Sequence, residues 1–339
     1  MTQLTENQNK VIDGLKNGHN SIESLVTSTG LAKRTVIGTL TSLLKSELIV
    51  KEEDDTYSIN GFIEVAGDDQ ETENQERNDV QPIQVLIPYL KSEAAGDELK
   101  IALRALQQNL KMPFEVVIIG DQEDWFSPEI TYIPHEQHLV KEVCNCPAPA
   151  MIRNPQADVN HKIFTAISSG IISGNFILSN DDIFLLAPTY PEDIGILKAF
   201  RDDLNKTGTG TSLYAQNNLR AAKALAANSL PSVRYGTHTP MLFNADKLLE
   251  IIEKYNCLEN GYPIESLYFN ELYPDARPLI LSGDANDSLL ASAYRADIPK
   301  NVLDNVFKER KFLNSNSKGW ISIKEHLEEA FPNPSRYEL

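Results

Sequence analysis

Two adjacent carboxylates, Asp181 and Asp182, sit between two apolar runs in the segment Phe176-Ile177-Leu178-Ser179-Asn180-Asp181-Asp182-Ile183-Phe184-Leu185-Leu186. The run Phe176 to Leu178 reads as a buried strand that stops at Ser179-Asn180, and Ile183 to Leu186 reads as a second one. A carboxylate pair pinned this way is rigid and partly desolvated. Its oxygens suit a hard divalent cation, with diphosphate oxygens completing the shell. A plain turn is the competing reading, because Asn and Asp favour turns for local reasons.

Composition narrows the classes. The 339 residues exceed one ordinary domain, and a hydrophobic fraction of 41% is enough for a sizeable core. No apolar run reaches the roughly 18 to 20 residues of a membrane span, so no membrane partner is expected. The first residues lack a basic and apolar leader pattern, and a cytoplasmic location is expected. Three cysteines (Cys144, Cys146 and Cys257) are too few for a disulfide framework, which fits a reducing compartment. The net charge of -17 argues against a surface that coats nucleic acid. That charge is uneven, since eleven acids against one Arg fall between Glu52 and Val80.

The pattern of elements divides the chain into residues 1–60, 61–81 and 82–339. In the first part, helices are expected over Gln8–Leu15, Ser21–Thr27 and Leu31–Leu44, with Ser21 as an N-cap. Two strands, Leu48–Val50 and Thr56–Ile59, flank an acidic turn at Glu52–Asp55. Residues 61–81 are acidic and poor in apolar groups, which predicts a flexible tether. In the third part, strands over Ile83–Tyr89, Phe114–Asp121, Ile130–Ile133 and Phe176–Leu178 alternate with helices over Asp97–Leu110 and Ala157–Ser169. That alternation predicts an α/β fold, a mostly parallel sheet with ligands at the strands' carboxyl ends. Neither G-x-G-x-x-G nor the phosphate-loop pattern is present. Two charged amphipathic stretches around Gly319-Trp320 read as packing helices.

The first part resembles a winged helix-turn-helix domain of bacterial and phage regulators. In that family the third helix reads the major groove, which here assigns nucleic-acid contact to Lys33, Arg34, Thr35 and Thr39. A protein-interaction module is the alternative, and the acidic turn at the wing favours it.

The third part resembles a nucleotide-sugar glycosyltransferase of the GT-A type, with a Rossmann-like sheet. The resemblance rests on Ile87-Pro88-Tyr89 at the end of the first strand, the following helix, Asp121 at the end of the second, and Asp181-Asp182 where the family carries its D-x-D motif. A closer similarity is to Stealth-type and exostosin-like transferases, through Leu178–Phe184 and Arg234-Tyr235-Gly236-Thr237-His238-Thr239-Pro240-Met241-Leu242-Phe243. The pair here is Asn-Asp-Asp and not D-x-D. The resemblance implies a Mn2+ or Mg2+ cofactor on Asp182 and Asp181, with His238 as a further ligand. It implies donor contacts from Pro88, Tyr89, Asp121 and Asp181, with Tyr89 offering a stacking face. Arg153 and Lys162 would hold the diphosphate; a solvated helix lysine is the plain reading of Lys162. An inverting enzyme needs a carboxylate base, for which Glu265 is the candidate and Asp284 the alternate. Thr207–Thr211 reads as a lid or a surface loop.

Joined, the two resemblances imply a metal-dependent transferase moving sugar from a nucleotide-sugar, a UDP-sugar first, to a hydroxymethylated pyrimidine in DNA, as phage DNA-modifying enzymes do. The rivals are a sugar-phosphate or glycan transferase whose small domain binds protein, and a transcription regulator that senses a nucleotide-sugar.

Overall fold

The computed structural model describes residues 6–16, 18–45, 48–52, 55–59, 81–142, 148–284 and 287–339. The expected tether at 61–81 therefore lies outside the described residues except for residue 81, as do Glu53 and Asp54 of the acidic turn and the pair Cys144 and Cys146. The chain forms two compact units, each described by itself.

The small unit runs α1 (Glu6–Lys16), α2 (Ile22–Thr29), α3 (Lys33–Lys45), β1 (Ile49–Lys51) and β2 (Tyr57–Ile59). Ser21 caps α2 through a reciprocal box with Ser24. Gly30, at φ +67°, ends it in the left-handed region and donates its N–H to the Val26 carbonyl. The two strands pair antiparallel. Val11, Leu15, Leu25, Val36, Leu40, Leu43, Ile49 and Tyr57 form its core. Helix α3 begins at Lys33, two residues later than expected, and Leu44 is only half-buried.

The large unit opens with β3 (Ile83–Tyr89), α4 (Glu98–Asn109), β4 (Phe114–Gly120), β5 (Ile130–Pro134), β6 (Leu139–Lys141), β7 (Met151–Arg153), α5 (Pro155–Ser168), β8 (Asn175–Leu178) and β9 (Ile183–Leu185). It continues with α6 (Pro191–Gly195), β10 (Lys198–Phe200), α7 (Leu204–Thr207), α8 (Leu213–Ala227), β11 (Met241–Asn244), α9 (Ala245–Lys254) and α10 (Ile264–Leu272). The last elements are β12 (Leu279–Leu281), β13 (Leu290–Ala293), α11 (Lys300–Glu309), β14 (Phe312–Ser315) and α12 (Ser317–Ala330).

The central sheet has the order β11-β8-β3-β4-β5. Strands β8, β3, β4 and β5 run parallel, and β11 joins β8 antiparallel. The continuous apolar runs of β3 and β4 suit strands buried on both faces. The order reverses at β3. The chain leaves β3 toward β4 and β5, then returns to place β8 on the other side. A crevice therefore opens between the carboxyl ends of β3 and β8, the position where such sheets bind ligands. Gly120 closes β4 at φ +134°, and a Cβ there would lie 1.8 Å from the Tyr89 carbonyl oxygen. Only glycine allows the two strand ends to approach this closely.

A second sheet, β13-β14-β9, continues from the carboxylate turn. It corrects the expectation for the carboxyl-terminal region. Gly319 and Trp320 do not separate two helices; they lie in the first turn of α12, and a strand, β14, precedes that helix. Trp320 packs on Phe184 of β9, with ring centroids 6.2 Å apart. The expected lid is also partly packed: a Cβ on Gly208 would meet Leu219 Cβ at 2.7 Å.

Candidate functional site

Strand β8 delivers Ser179-Asn180-Asp181-Asp182 to the crevice at the reversal point. The Ser179 N–H donates to the Leu86 carbonyl at 3.0 Å, which extends the β3–β8 ladder to the last residue before the turn. Strand β9 begins directly after Asp182 and pairs with β14, Ile183 opposite Asn314. Both flanks of the turn are thus fixed by strands, as the sequence predicts.

The carboxylates are costly where they stand. Burial pushes the Asp181 carboxyl well above the usual carboxylate range, and the negative charges of Asp182 and Glu98 add to it. Burial and Glu98 raise Asp182 in the same direction. Asp182 Oδ1 is buried with no hydrogen-bond donor. Glu98 is itself buried at the head of α4. It accepts the Ala95 N–H at 2.6 Å and faces Ser315 Oγ at 3.4 Å. A buried acceptor without a partner in a field of like charge is what a bound cation relieves. Among the described residues no group of three or more His, Cys, Asp or Glu side chains is arranged to hold a metal ion. A divalent cation here would rest on two carboxylate ligands and take its other oxygens from water and phosphate, a common arrangement for Mg2+.

His238 accordingly does not join Asp181 and Asp182 in a ready three-ligand cage. It lies in the field of a different group, Glu265. Helix α10 clamps the preceding loop: Asn270 Oδ1 accepts the Val233 N–H at 3.0 Å, and Ser266 Oγ accepts the Tyr235 N–H at 3.0 Å. The clamp leaves His238 at φ +52°, an uncommon backbone for a non-glycine residue. Its imidazole lies in the field of Glu265, which stands in the first turn of the same helix. Burial raises the Glu265 carboxyl, partly opposed by His238, and burial lowers the His238 imidazole, partly opposed by Glu265. Environments that push two such groups toward their neutral forms suit proton transfer. His238 and Glu265 share a cavity of about 250 Å³ with Asn180, Gln156, Tyr214 and Tyr262. Asn160 supports it from below, donating to the Cys257 and Tyr262 carbonyls at 3.2 and 3.1 Å.

The alternate base lies elsewhere. Asp284 is exposed, accepts Ser282 Oγ–H at 2.9 Å, and lines a separate cavity of about 430 Å³ against β13 and α11.

Donor-binding candidates at the sheet end divide in two. Asp121 is half-buried beside the crevice, where its carboxylate accepts the Lys91 N–H at 2.8 Å. Tyr89 is only 3% exposed, and its hydroxyl donates to Glu123 at 2.7 Å. Its ring is enclosed and offers no stacking face. Pro88 is likewise buried, in register with Ile119.

The cations show the same division. Lys162 is 1% exposed and bonds Asp158 Oδ2 at 2.7 Å, so it is neither solvated nor an unneutralised charge. It still lies close enough to Asp181 to lower that carboxyl's pKa slightly. Arg153 ends β7 and pairs with Glu93. Arg234 is the cation that the sequence reading passed over. It stacks on Phe200 at 4.5 Å, its Nε is buried without a partner, and it has no carboxylate partner among the described residues. Its charge reaches His238 and Tyr294, and that of Asp182 also reaches Tyr294. The sequence carried one signal for it, an arginine four residues before His238 in the segment already singled out. Glu98 and Tyr294 had none. His161 is structural, its Nδ1 2.8 Å from His135 Nε2 and its ring stacked on His138.

In the small unit Arg34 and Lys33 are exposed at the head of α3, and Lys33 is engaged by Glu23 at 2.7 Å. Thr35 is half-buried. Thr39 is only 8% exposed and faces the unit's interior, which removes it from any groove contact. Among the described residues no helix is long and apolar enough to cross a membrane.

No known family matches the chain by sequence, and no curated protein does. Among solved structures the chain is similar to the WbbM bifunctional glycosyltransferase in its apo form, with 6% identity and a TM-score of 0.38. The similarity covers 92% of this chain and 62% of that one, so this chain spans less than two thirds of that protein's length.

Proposed function

We propose that the large unit moves a sugar from a nucleotide-sugar, a UDP-sugar first, to a hydroxyl acceptor with Mn2+ or Mg2+ held by Asp181 and Asp182. The observation that carries this reading is the half-buried, mutually repelling carboxylate pair at the sheet's reversal point, with Asp182 Oδ1 buried and unsatisfied. A cation bound there would neutralise the diphosphate and make it a better leaving group. Arg234 supplies fixed positive charge beside it. Glu265 takes the proton of the attacking hydroxyl, and the nearby His238 imidazole favours its carboxylate form through charge. Asn180, Gln156 and the tyrosines of the polar cavity hold the sugar's hydroxyls. Asp121 remains in reach of the donor's ribose or base.

The test is a thermal-shift screen of the purified protein against UDP-, GDP-, ADP- and CMP-sugars, with and without manganese. A metal-dependent rise for one donor is expected. The absence of any shift would overturn the reading, and a shift without turnover would favour a regulator that senses the nucleotide-sugar.

For the acceptor we propose a hydroxymethylated pyrimidine in DNA. It is supported by the order of elements in the small unit, three helices and a hairpin, and by Arg34 and Lys33 exposed at the head of α3. Sugar incorporation into hydroxymethylated DNA but not into unmodified DNA is expected. No incorporation with the donor identified above would leave glycan acceptors, with the small unit binding protein.

A further inference from the structure

We infer that the apolar cavity between β13 and α11 is an acceptor subsite for a hydroxyl compound with an apolar body of ring or short-alkyl size. This inference rests on the transferase reading and competes with the DNA acceptor, so sugar incorporated into hydroxymethylated DNA would count against it. The cavity holds about 430 Å³, and Ala291, Ala293, Ile298, Val302, Val306 and Leu313 form its walls. That volume lies within the range of small-molecule sites, which are mostly apolar with few oriented polar groups. The polar groups here, Asp284, Ser292 and Tyr294 among them, sit beside an otherwise aliphatic lining.

Its position follows from strand register. Ala293 pairs with Ser315 in β13–β14, and Asn314 pairs with Ile183 in β14–β9. Ser315 therefore stands at the level of Asp182, one position beyond the last pair, and Ala293 stands beyond it in the same row. Two strand spacings of about 4.8 Å put the start of the cavity wall roughly 10 Å from Asp182. Tyr294 follows Ala293, lines the cavity, and is 46% exposed. The charge of Asp182 reaches its phenol. Tyr294 thus marks the side of the cavity that faces the carboxylates.

The donor does not suit this space. A nucleobase or a sugar would bring several polar groups against aliphatic walls and leave them unpaired. Arg295 at the rim is already paired with Asp297, and Arg310, the other cation that lines the space, is the C-cap residue of α11. An apolar body fits instead, and it would cover Val302, an aliphatic side chain left 39% exposed on α11. Its hydroxyl would emerge beside Tyr294, toward Asp182.

The experiment uses the full chain with n-octyl and n-butyl β-D-glucopyranoside as probes, each below its micelle-forming concentration, with binding followed by calorimetry. The octyl compound is expected to bind at least about tenfold more tightly, because each buried methylene adds to the affinity. Val302→Trp, on the exposed face of α11, fills the cavity and should erase that preference. In the same protein the thermal shift with UDP and manganese should be unchanged, which reports an intact fold. Equal affinities in the wild type overturn the inference, and so does a preference that survives in both Val302→Trp and Ile298→Trp. If the wild type shows no shift with nucleotide and manganese, the transferase reading fails. The acceptor role then fails with it, even where the octyl preference is real.

Discussion

The two cavities in the large unit differ in what their walls do to charge. The polar one gathers Glu265, His238, Asn180 and Gln156, with Arg234 in its field. The apolar one sets aliphatic side chains from β13, β14 and α11 around a space of about 430 Å³. Both adjoin elements that fix the turn at Asp181 and Asp182. Ionisable groups in the first are pushed toward neutrality by burial, which costs stability and readies them for proton transfer. The second costs little to build and offers area without direction. The contrast teaches that chemistry and binding are divided between two sides of one turn, with the carboxylate pair as the shared element.

The largest expected effect tests that shared element. Asp182→Asn should lower metal-dependent turnover by about a thousandfold, since it removes the stabilisation of charge on the leaving group. The fold should not suffer. A carboxyl whose folded pKa lies above its unfolded one stabilises the fold fully only below about pH 4 and loses that contribution as pH rises through the raised value. Asp181 and Asp182 are both raised. The Tm of the metal-free protein should therefore fall from pH 5 to pH 8 more steeply in the wild type than in Asp182→Asn. Manganese should restore Tm at pH 8 in the wild type alone. Identical Tm profiles for the two proteins, with no manganese effect, would break the assignment.

Next in size is Glu265→Gln, which should lower kcat by about a hundredfold or more with little change in KM for the donor, as expected for loss of a general base. Measuring kcat against pH sharpens this, because the limb set by Glu265 should vanish in the variant. Arg234→Gln follows. Losing one charge-assisted contact to the diphosphate should weaken UDP binding by about tenfold or more. UMP, with one phosphate fewer, should be affected less. Equal losses for the two nucleotides would place Arg234 outside the diphosphate site.

Much of the fold was legible in the sequence because its strands are apolar without interruption and its helices carry a clear face. The runs Ile83–Tyr89 and Phe114–Gly120 could hardly be anything but central strands. The carboxylate turn was legible for the same reason, being the polar stop between two such runs. Side-chain partnerships were not. Lys162 reads as exposed from its neighbours, but Asp158 sits one helical turn before it and both are enclosed under the sheet. Thr39 looks available on a recognition helix, while its actual direction depends on packing within α3's own unit. Glu98 joins the carboxylates across more than eighty residues of chain, and Tyr294 across more than a hundred. Composition and spacing carry no trace of such distant meetings. Strand β14 hid between two helical patterns because it is only four residues long.

The smallest expected effect is also the one that separates the two cavities most cleanly. Asp284→Asn should change kcat by less than about twofold, within the range of surface substitutions away from the reacting groups. Asp284 is exposed, holds Ser282 through a 2.9 Å hydrogen bond, and belongs to the apolar cavity. The neighbouring Asp287, not Asp284, braces that loop, its carboxylate accepting the N–H groups of Ser282, Gly283, Leu289 and Leu290. These bonds hold the Asp287 carboxyl below the usual range despite partial burial. Replacing Asp284 should therefore leave the fold and the chemistry alone. A kcat loss in Asp284→Asn as large as that in Glu265→Gln would reverse the roles of the two sides. The acceptor's proton would then pass to Asp284, and Glu265 and His238 would serve the donor sugar alone.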